Sequence, residues 1–283
     1  MNIVFATDSA YLQHLAVALS SLLENNSEMT VYIINSDISN HDWEKLKIIF
    51  DGTDSVLIDA KIDDTPVKNL VTHSYSKATY YKLFIPDIVK GSKALYLDND
   101  IVVNQKVDGL YNTDVSDTFL AAVDNKDTYN HHDLEMKHSA KYFNAGVMLI
   151  NLEYWRTCNI KEKVIEFVNR KPEVIRFPDQ DGFNSVINGE WRELHPKYNL
   201  LSAHLIHAGD STIKDAIDNP VIIHYTGFPK PDHFKNNHPY KHLYWKYLRS
   251  TPYKYIIPDG LNIVDILKWI VPQSIKKRIK NIL

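Results

Sequence analysis

Two aspartates separated by one residue carry the clearest chemical signal in the sequence. Asp98 and Asp100 follow the apolar run 94–97, which predicts a buried strand. Residues two apart in an extended segment point to the same side, so the two carboxylates are expected to lie together. Neighbouring carboxylates repel each other unless a cation lies between them. The pair therefore predicts Mg²⁺ or Mn²⁺ carrying a diphosphate, with a solvated polar loop as the alternative.

A histidine much later in the chain is a candidate for a third metal ligand. His224 follows the apolar run 221–223, which also predicts a strand. Taken alone, it is typical of a buried histidine in a core. Together with the two aspartates it supplies a nitrogen ligand, which favours Mn²⁺ because Mg²⁺ prefers oxygen ligands. Gly227 and Lys230 follow closely, and they could bring backbone amides and a positive charge to a phosphate.

Further polar residues lie at places where predicted strands end or helices begin. Asp179-Gln180-Asp181 opens a predicted helix, and Asp124 follows the apolar run 119–123. Asn144 lies in a strand-like run and precedes small residues, which favour close approach by a ligand or another backbone. These side chains could surround a sugar ring. The acidic residues at the helix start could equally complement the helix dipole without any ligand.

Alternating strand-like and helical patterns must position these residues. Strands are predicted at residues 3–6, 31–34 and 55–58, with helices over 10–24 and after the capping residue Ser39. This spacing favours parallel strands joined by crossover helices. We therefore expect one Rossmann-like α/β nucleotide-binding domain that lacks the Gly-x-Gly-x-x-Gly loop of dinucleotide-binding proteins.

Composition excludes several other classes of protein. A formal net charge of −3 argues against nucleic acid as the main partner. Cys158 is the only cysteine, so no intrachain disulfide can form. The first residues lack the pattern of a signal peptide, and no uncharged run reaches the roughly 18 apolar residues that span a bilayer. We therefore expect a cytoplasmic protein.

Five stretches of the chain, spread over about residues 1–232, resemble the family 8 retaining glycosyltransferases. This group includes bacterial lipooligosaccharide galactosyltransferases and glycogenin. The matching stretches, in chain order, are Ile3-Val4-Phe5-Ala6-Thr7-Asp8, Tyr96-Leu97-Asp98-Asn99-Asp100, Tyr142-Phe143-Asn144-Ala145-Gly146-Val147-Met148-Leu149-Ile150-Asn151-Leu152, Asp179-Gln180-Asp181, and His224-Tyr225-Thr226-Gly227 with Lys230-Pro231.

The resemblance implies a GT-A fold and retaining transfer of galactose or glucose from a UDP-sugar. The acceptor would be a hydroxyl of a cell-surface glycan, glycolipid or glycoprotein. Mn²⁺, or Mg²⁺, would be held by Asp98, Asp100 and His224. The resemblance further implies that the donor nucleotide and its diphosphate contact Ala6, Asp8, Lys82, Asn99, Gly227 and Lys230, and that the transferred sugar is surrounded by Asp124, Asn144, Asp179 and Gln180.

Two positions depart from the family pattern. Lys82 stands where the family usually has arginine, which keeps the charge but loses the planar fork of donors. Asp232 follows Lys230-Pro231, where the family often has tryptophan. The second departure bears on the shape of the phosphate-binding loop and on the choice of donor.

The end of the chain has a composition of its own. We predict a catalytic domain over residues 1–235 and a helical, basic-amphipathic extension over 236–283. In this extension an apolar segment containing Trp269 precedes the basic residues Lys276, Lys277, Arg278 and Lys280. Such a pattern predicts peripheral contact with an anionic membrane. The alternative is a helix docked on the core or on a dimer partner.

Two other functions compete with glycosyl transfer. A nucleotidyltransferase that makes NDP-sugars also uses metal-bound carboxylates on an α/β domain. It would be expected to carry a glycine-rich, basic loop after the first strand, whereas Thr7-Asp8-Ser9-Ala10-Tyr11 has neither glycine nor a base. The other competitor is a non-catalytic or hydrolysing protein of the same fold that binds UDP-sugars or carbohydrate.

Overall fold

A computed structural model describes residues 1–125 and 132–261. The strands are β1 (Asn2–Ala6), β2 (Thr30–Asn35), β3 (Val56–Lys61), β4 (Lys93–Leu97), β5 (Ile101–Val103), β6 (Leu120–Asp124), β7 (Phe143–Asn151), β8 (Arg192–Glu193), β9 (Leu200–Leu201) and β10 (Ile222–His224). In this described part they form a seven-stranded sheet of order β3-β2-β1-β4-β7-β6-β8 and a three-stranded sheet of order β5-β10-β9.

Helices cover both faces of the larger sheet. The α-helices are α1 (Leu12–Asn25), α2 (Asn40–Ile49), α3 (Ile85–Ile88), α4 (Asp108–Tyr111), α5 (Leu152–Thr157), α6 (Ile160–Arg170), α7 (Pro178–Ile187), α8 (Ser211–Asp218) and α9 (Lys241–Arg249). Shorter 3₁₀ helices cover Ser9–Tyr11, Thr65–Val67, Lys77–Phe84, Pro196–Tyr198 and Ser202–His207.

The predicted alternation of strands and helices is confirmed in the first third of the chain. Strands β1, β2 and β3 alternate with α1 and α2, and the pairs β1–β2, β2–β3 and β1–β4 are all parallel. Helix α2 begins where the sequence predicts, because the Oγ of Ser39 accepts a hydrogen bond from the N–H of Asp42 at 3.1 Å. The segment Lys77–Phe84, which contains Lys82, is a 3₁₀ helix.

Strand β7 gives the second half of the sheet a different direction. It runs antiparallel to both β4 and β6, and all nine of its residues are buried. A strand that is buried on both faces is a continuous apolar run whichever way it pairs. The direction of β7 is therefore not visible in its sequence.

The core consists of two apolar layers, one on each face of the larger sheet. Along β1, Val4 packs into one layer while Ile3 and Phe5 pack into the other, as the period of two in a strand requires. Helix α1 contributes Leu15 and Leu19 to the layer that contains Ile3. Helices α6 and α7 contribute to the opposite layer. This three-layer arrangement leaves the carboxyl ends of β1 and β4 open.

The smaller sheet brings a distant segment to this open edge. Strand β10 is antiparallel to β5, so that His224 pairs with Ile101, the residue after Asp100. The N–H of Tyr225 also donates to the carbonyl of Asp100 at 3.0 Å. These backbone bonds fix the position of His224 beside the two aspartates.

Part of the predicted extension packs on the rest of the chain. Helix α9 buries Tyr244, Tyr247 and Leu248 in a cluster with Val17 of α1. The basic-amphipathic stretch 262–283, on which the membrane prediction rests, lies outside the described residues. Among the described helices, none is long and apolar enough to cross a bilayer. The domain boundary near residue 235 stays a prediction.

Candidate active site

Two adjoining clefts open at the carboxyl ends of β1 and β4. The first, called here the β1 cleft, has a volume of about 440 Å³. The second, called the α7 cleft, has a volume of about 260 Å³. Both clefts are lined by Tyr75, Thr79, Asp98, Asp100, Gly227 and Lys230. The aspartates therefore lie at the junction of the two clefts.

The three predicted metal ligands are close together. One ligand atom from each of Asp98, Asp100 and His224 lies within 4.8 Å of the others, and the Nε2 of His224 is 3.3 Å from an oxygen of Asp100. The Nδ1 of His224 contacts the side-chain oxygen of Asn199 at 2.9 Å, which leaves Nε2 facing the carboxylates. A Cβ at Gly146 would lie only 2.2 Å from His224 and 2.6 Å from Asp98. Two carboxylates and an imidazole in this compact cradle fit a divalent metal ion.

Lys82 is a buried cation between two carboxylates. Its Nζ lies 3.3 Å from an oxygen of Asp98 and 2.7 Å from an oxygen of Asp179, and the residue is 2% exposed. The hydroxyl of Thr79 donates to the other oxygen of Asp179. Burial alone would lower the pKa of Lys82, but the charges of Asp179 and Asp98 outweigh burial and raise it. The lysine is therefore charged, and it joins the candidate metal ligand Asp98 to Asp179 at the start of α7.

Lys230 is the second cation at the junction. Its Nζ contacts the carboxylate of Asp100 and donates to the carbonyl of Tyr225 at 3.0 Å. Burial would raise the pKa of Asp100, but Lys230 and His224 hold it well below its usual range. Gly227 has a φ of 78°, a backbone conformation that favours glycine. The loop thus presents a lysine and an unobstructed backbone to both clefts.

Both polar atoms of the Gln180 side chain take part in hydrogen bonds. Its Oε1 accepts from the N–H of Ala145 at 3.0 Å and from the side-chain amide of Asn144 at 3.1 Å. Its Nε2 donates to the hydroxyl of Tyr142 at 3.1 Å. These contacts hold the first turn of α7 against β7. They also leave the Gln180 oxygen poorly placed to act as a nucleophile.

The β1 cleft is formed by the end of β1 and the segment that follows it. Asp8 accepts a hydrogen bond from the N–H of Ala10 at 3.1 Å and so caps the 3₁₀ helix that ends at Tyr11. The side-chain amide of Asn99 donates to the carbonyl of Ala6 at 2.9 Å. Tyr11 lines the cleft, where its ring could stack on a planar base.

Asp232 fastens the loop that carries Lys230. Its carboxylate accepts a hydrogen bond from the side-chain amide of Gln13 at 2.6 Å and lies 3.8 Å from the Nε2 of His14. On the other side, the indole N–H of Trp245 donates to the carbonyl of Pro231 at 3.2 Å. The departure from the family pattern at Asp232 thus corresponds to a polar anchor on α1.

Almost all of the predicted site residues line one of the two clefts. Those that do are Ala6, Asp8, Lys82, Asp98, Asn99, Asp100, Asn144, Asp179, Gln180, His224, Gly227 and Lys230. Asp124 is the exception, since it ends β6 as a buried residue and its neighbour Asn125 lines the α7 cleft instead.

Several residues of the clefts were not predicted from the sequence. They are Tyr11, Tyr75, Thr79 and Phe177 among the lining residues, and Asn199 behind His224. Tyr11 lies in the segment that follows the carboxyl end of β1. Because open α/β sheets bind ligands beyond the carboxyl ends of their strands, this position could have identified Tyr11. Asn199 directly follows a short 3₁₀ helix, and no local pattern distinguishes it.

Comparison with known proteins shows the family to which the chain belongs. The family model described as Glycosyl transferase family 8 matches residues 2–235. General stress protein A of Bacillus subtilis (strain 168) is 29% identical over 279 residues, which cover 93% of this chain and 98% of that protein. Glycosyltransferase GlyD of Streptococcus pneumoniae serotype 4 is 32% identical over 258 residues, which cover 87% of this chain but 30% of GlyD.

A solved structure shares the fold. The structure of the galactosyltransferase LgtC in complex with donor and acceptor sugar analogs has a TM-score of 0.80 and covers 92% of this chain and 98% of LgtC. The two sequences are 24% identical, so the likeness is one of fold.

Proposed function

Because the chain belongs to glycosyl transferase family 8 and has the GT-A fold, we propose that it transfers galactose or glucose from a UDP-sugar to an acceptor hydroxyl. The acceptor would be a cell-surface glycan, glycolipid or glycoprotein, and the anomeric configuration would be retained. The observation that carries this proposal is the cluster of Asp98, Asp100 and His224 at the junction of two clefts.

The charges at the junction suit a diphosphate. Asp98, Asp100 and His224 would hold Mn²⁺, or Mg²⁺, which would neutralise the negative charge that builds on the departing UDP. Lys230 lies on the same junction and offers a second positive charge to the diphosphate. Gly227 lets the backbone of its loop approach a phosphate oxygen.

The two clefts suit the two halves of a sugar nucleotide. The β1 cleft, with Ala6, Asp8 and Tyr11, would bind the uridine. Asn99 would hold Ala6 in place through its hydrogen bond to the Ala6 carbonyl. The α7 cleft would take the hexose, with Asn144 and Asp179 beside it. Asp124 would contribute to the hexose site only through its neighbour Asn125, which lines the α7 cleft.

The chemical step that we propose is attack on the face from which UDP departs. The acceptor oxygen forms a bond to the anomeric carbon as the bond to the diphosphate oxygen breaks, and the departing phosphate takes the proton of the acceptor hydroxyl. An amide is a weak nucleophile compared with the carboxylates that usually form glycosyl–enzyme intermediates. The hydrogen bonds of Gln180 support a positioning role for that residue.

A screen of UDP-sugars tests the proposal. UDP release would be measured with Mn²⁺, Mg²⁺ or EDTA, each with and without a panel of glycan acceptors. A transferase releases UDP faster when its acceptor is present, and the product carries the sugar in the α configuration of the donor. Release that no acceptor accelerates would indicate a hydrolase. Binding of UDP-sugars without release would indicate a carbohydrate-binding protein of the same fold.

A further inference from the structure

We propose that Asn199 is a positioning residue that fixes the tautomer of His224 through a one-directional chain of hydrogen bonds. The chain begins at Asp181, at the start of α7, and ends at the metal cluster. The inference rests on the proposed function only in taking His224 as a metal ligand. Its evidence is the direction in which each hydrogen bond must run.

The direction is set at Asp181. One carboxylate oxygen of Asp181 accepts from the backbone N–H groups of Arg176 and Phe177 at 2.7 and 2.9 Å. The other accepts from the hydroxyl of Tyr142 at 2.5 Å. Since a hydroxyl has one proton, the oxygen of Tyr142 can only accept from its remaining neighbour, Gln180. The Nε2 of Gln180, 3.1 Å away, must therefore point toward Tyr142.

Backbone groups of β7 fix the next two amides independently. The N–H of Ala145 contacts Gln180 and the N–H of Gly146 contacts Asn144, each at 3.0 Å. A backbone N–H can only donate, so each contact must be made to the oxygen of the side-chain amide. The nitrogen of Asn144 then donates to Gln180, and its oxygen accepts from the nitrogen of Asn199 at 2.8 Å. No amide in the series can be turned round without opposing like groups.

The orientation of the Asn199 side chain determines which ring nitrogen of His224 carries the proton. Because its nitrogen faces Asn144, its oxygen faces the Nδ1 of His224 at 2.9 Å and must accept a hydrogen bond from the Nδ1–H. The Nε2 of the neutral ring is then left with its lone pair directed at Asp98 and Asp100, where a metal ion would be bound. A hydrogen bond to the second nitrogen of a metal-binding histidine orients the ring and raises its basicity. Asn199 is fully buried, and its side-chain atoms serve only Asn144 and His224 among the described residues.

Replacing Asn199 tests the proposal with Mn²⁺ as the probe. Isothermal titration with Mn²⁺, alone and with UDP, would compare the parent with Asn199→Leu and Asn199→Asp. The leucine removes both hydrogen bonds, and we expect Mn²⁺ affinity to fall about 10–100-fold, the usual effect of losing such a partner. The aspartate still accepts from the Nδ1 of His224, so it should restore most of the affinity although it cannot donate to Asn144. Asn199→Ala replaces the leucine variant if that variant does not fold.

A matched control separates positioning from general loss of stability. Asn184 is as deeply buried as Asn199, and its side chain bonds to the backbone of Phe143 and Gln180 without joining the chain to His224. Asn184→Leu should lower the melting temperature and leave Mn²⁺ affinity unchanged.

The outcomes distinguish this inference from the proposed function. Parent-like Mn²⁺ affinity in Asn199→Leu, or an Asn199→Asp variant as weak as the leucine variant, overturns the role of Asn199 even if the enzyme transfers sugar. The expected pattern of affinities supports that role even if no UDP-sugar is turned over. A parent protein that does not bind Mn²⁺ with or without UDP contradicts both.

Discussion

At the scale of single residues, each carboxylate of the proposed metal site also faces a lysine. Asp98 is paired with Lys82, and Asp100 is paired with Lys230. The lysines balance the carboxylates when no ion is bound, so they also reduce the attraction of the site for a free cation. A bound divalent cation would leave the junction with excess positive charge, and a diphosphate would neutralise that excess. We therefore expect the metal ion and UDP to strengthen each other's binding.

Removing one carboxylate tests this arrangement. In Asp100→Asn, Mn²⁺-dependent UDP release should fall at least ~100-fold, the scale for losing one preorganised electrostatic group. Asp98→Asn should behave in the same way. The fold should remain, because both residues follow a strand and neither belongs to the apolar core. Activity and circular dichroism of the purified variants provide the measurement, and near-normal turnover in both would contradict the metal assignment.

Lys82 should matter for both stability and donor binding. Lys82→Met removes the charge from between Asp98 and Asp179 while keeping the shape, which leaves the buried carboxylate of Asp179 and the half-buried carboxylate of Asp98 without their cation. Breaking a buried ion pair on one side costs about 3–5 kcal/mol, so the free energy of unfolding should fall by that order. The donor KM should rise, with little change in the acceptor KM. Urea unfolding and initial-rate kinetics measure these effects, and Lys82→Arg, which keeps the charge, is the control.

At the scale of elements, the loop that carries Lys230 is held by hydrogen bonds to two helices, one on either side. Asp232 bonds to Gln13 at the start of α1, and Pro231 bonds to Trp245 of α9. Asp232 therefore helps to hold the loop that we propose contacts the diphosphate. The bond from Trp245 also makes α9 part of the support for the site.

Removing the hydrogen bond between Asp232 and Gln13 should weaken donor binding. In Asp232→Ala the donor KM should rise, and stability should fall by about 1.5–3 kcal/mol, the usual range for a hydrogen bond to a charged group. Asp232→Asn should be milder, since its oxygen can still accept from Gln13. A double-mutant cycle with Gln13→Leu measures the coupling, and strictly additive effects would show that the two side chains act independently.

The segment between the loop and α9 should respond to acid. Burial lowers the pKa of His238 from 6.5 to about 4, so the fold favours the neutral ring. Between these two values the unfolded chain binds the proton more readily, and stability is therefore lost as the pH falls from 6.5 toward 4. The Nδ1 of His238 accepts from the N–H of Tyr240 at 3.2 Å, a bond that asparagine could also make. His238→Asn should therefore lose less melting temperature than the parent between about pH 7 and about pH 5. An equal loss in both proteins would contradict this.

At the scale of the whole molecule, the predicted membrane contact concerns the stretch beyond the described residues. The final eight residues include Lys276, Lys277, Arg278 and Lys280. Each basic residue near an anionic surface contributes roughly 1 kcal/mol, so four would give ~4 kcal/mol, which salt should weaken. A chain ending after Leu261 keeps every residue of the described fold. It should retain activity on soluble acceptors and lose co-sedimentation with anionic liposomes.

A charge variant separates electrostatic attraction from apolar contact in this stretch. Glutamine at the four basic positions should reduce sedimentation with anionic vesicles and leave any sedimentation with neutral vesicles unchanged. If the full chain ignores anionic vesicles at low salt, or if truncation unfolds it, the stretch belongs to the core or to a partner interface instead.

Local sequence patterns determined the order of the elements and the position of two of the proposed metal ligands. The short apolar runs at residues 3–6 and 31–34 predict strands, and the helical period of residues 10–24 predicts a helix, because both kinds of pattern depend only on neighbours along the chain. Asp98 and Asp100 could be identified for the same reason, since they directly follow a predicted strand. The five short stretches placed the chain in its family, which the match over residues 2–235 confirms.

Tertiary structure decided which distant segments meet. The antiparallel direction of β7, the approach of His224 to Asp98 and the burial of Lys82 between two carboxylates all join parts of the chain that are far apart in sequence. Asn199 shows most clearly what local sequence patterns cannot predict, because no pattern in its own segment distinguishes it from other polar residues. Its role follows from the direction of hydrogen bonds that begin at another element, and a bond between distant side chains leaves no period in the sequence.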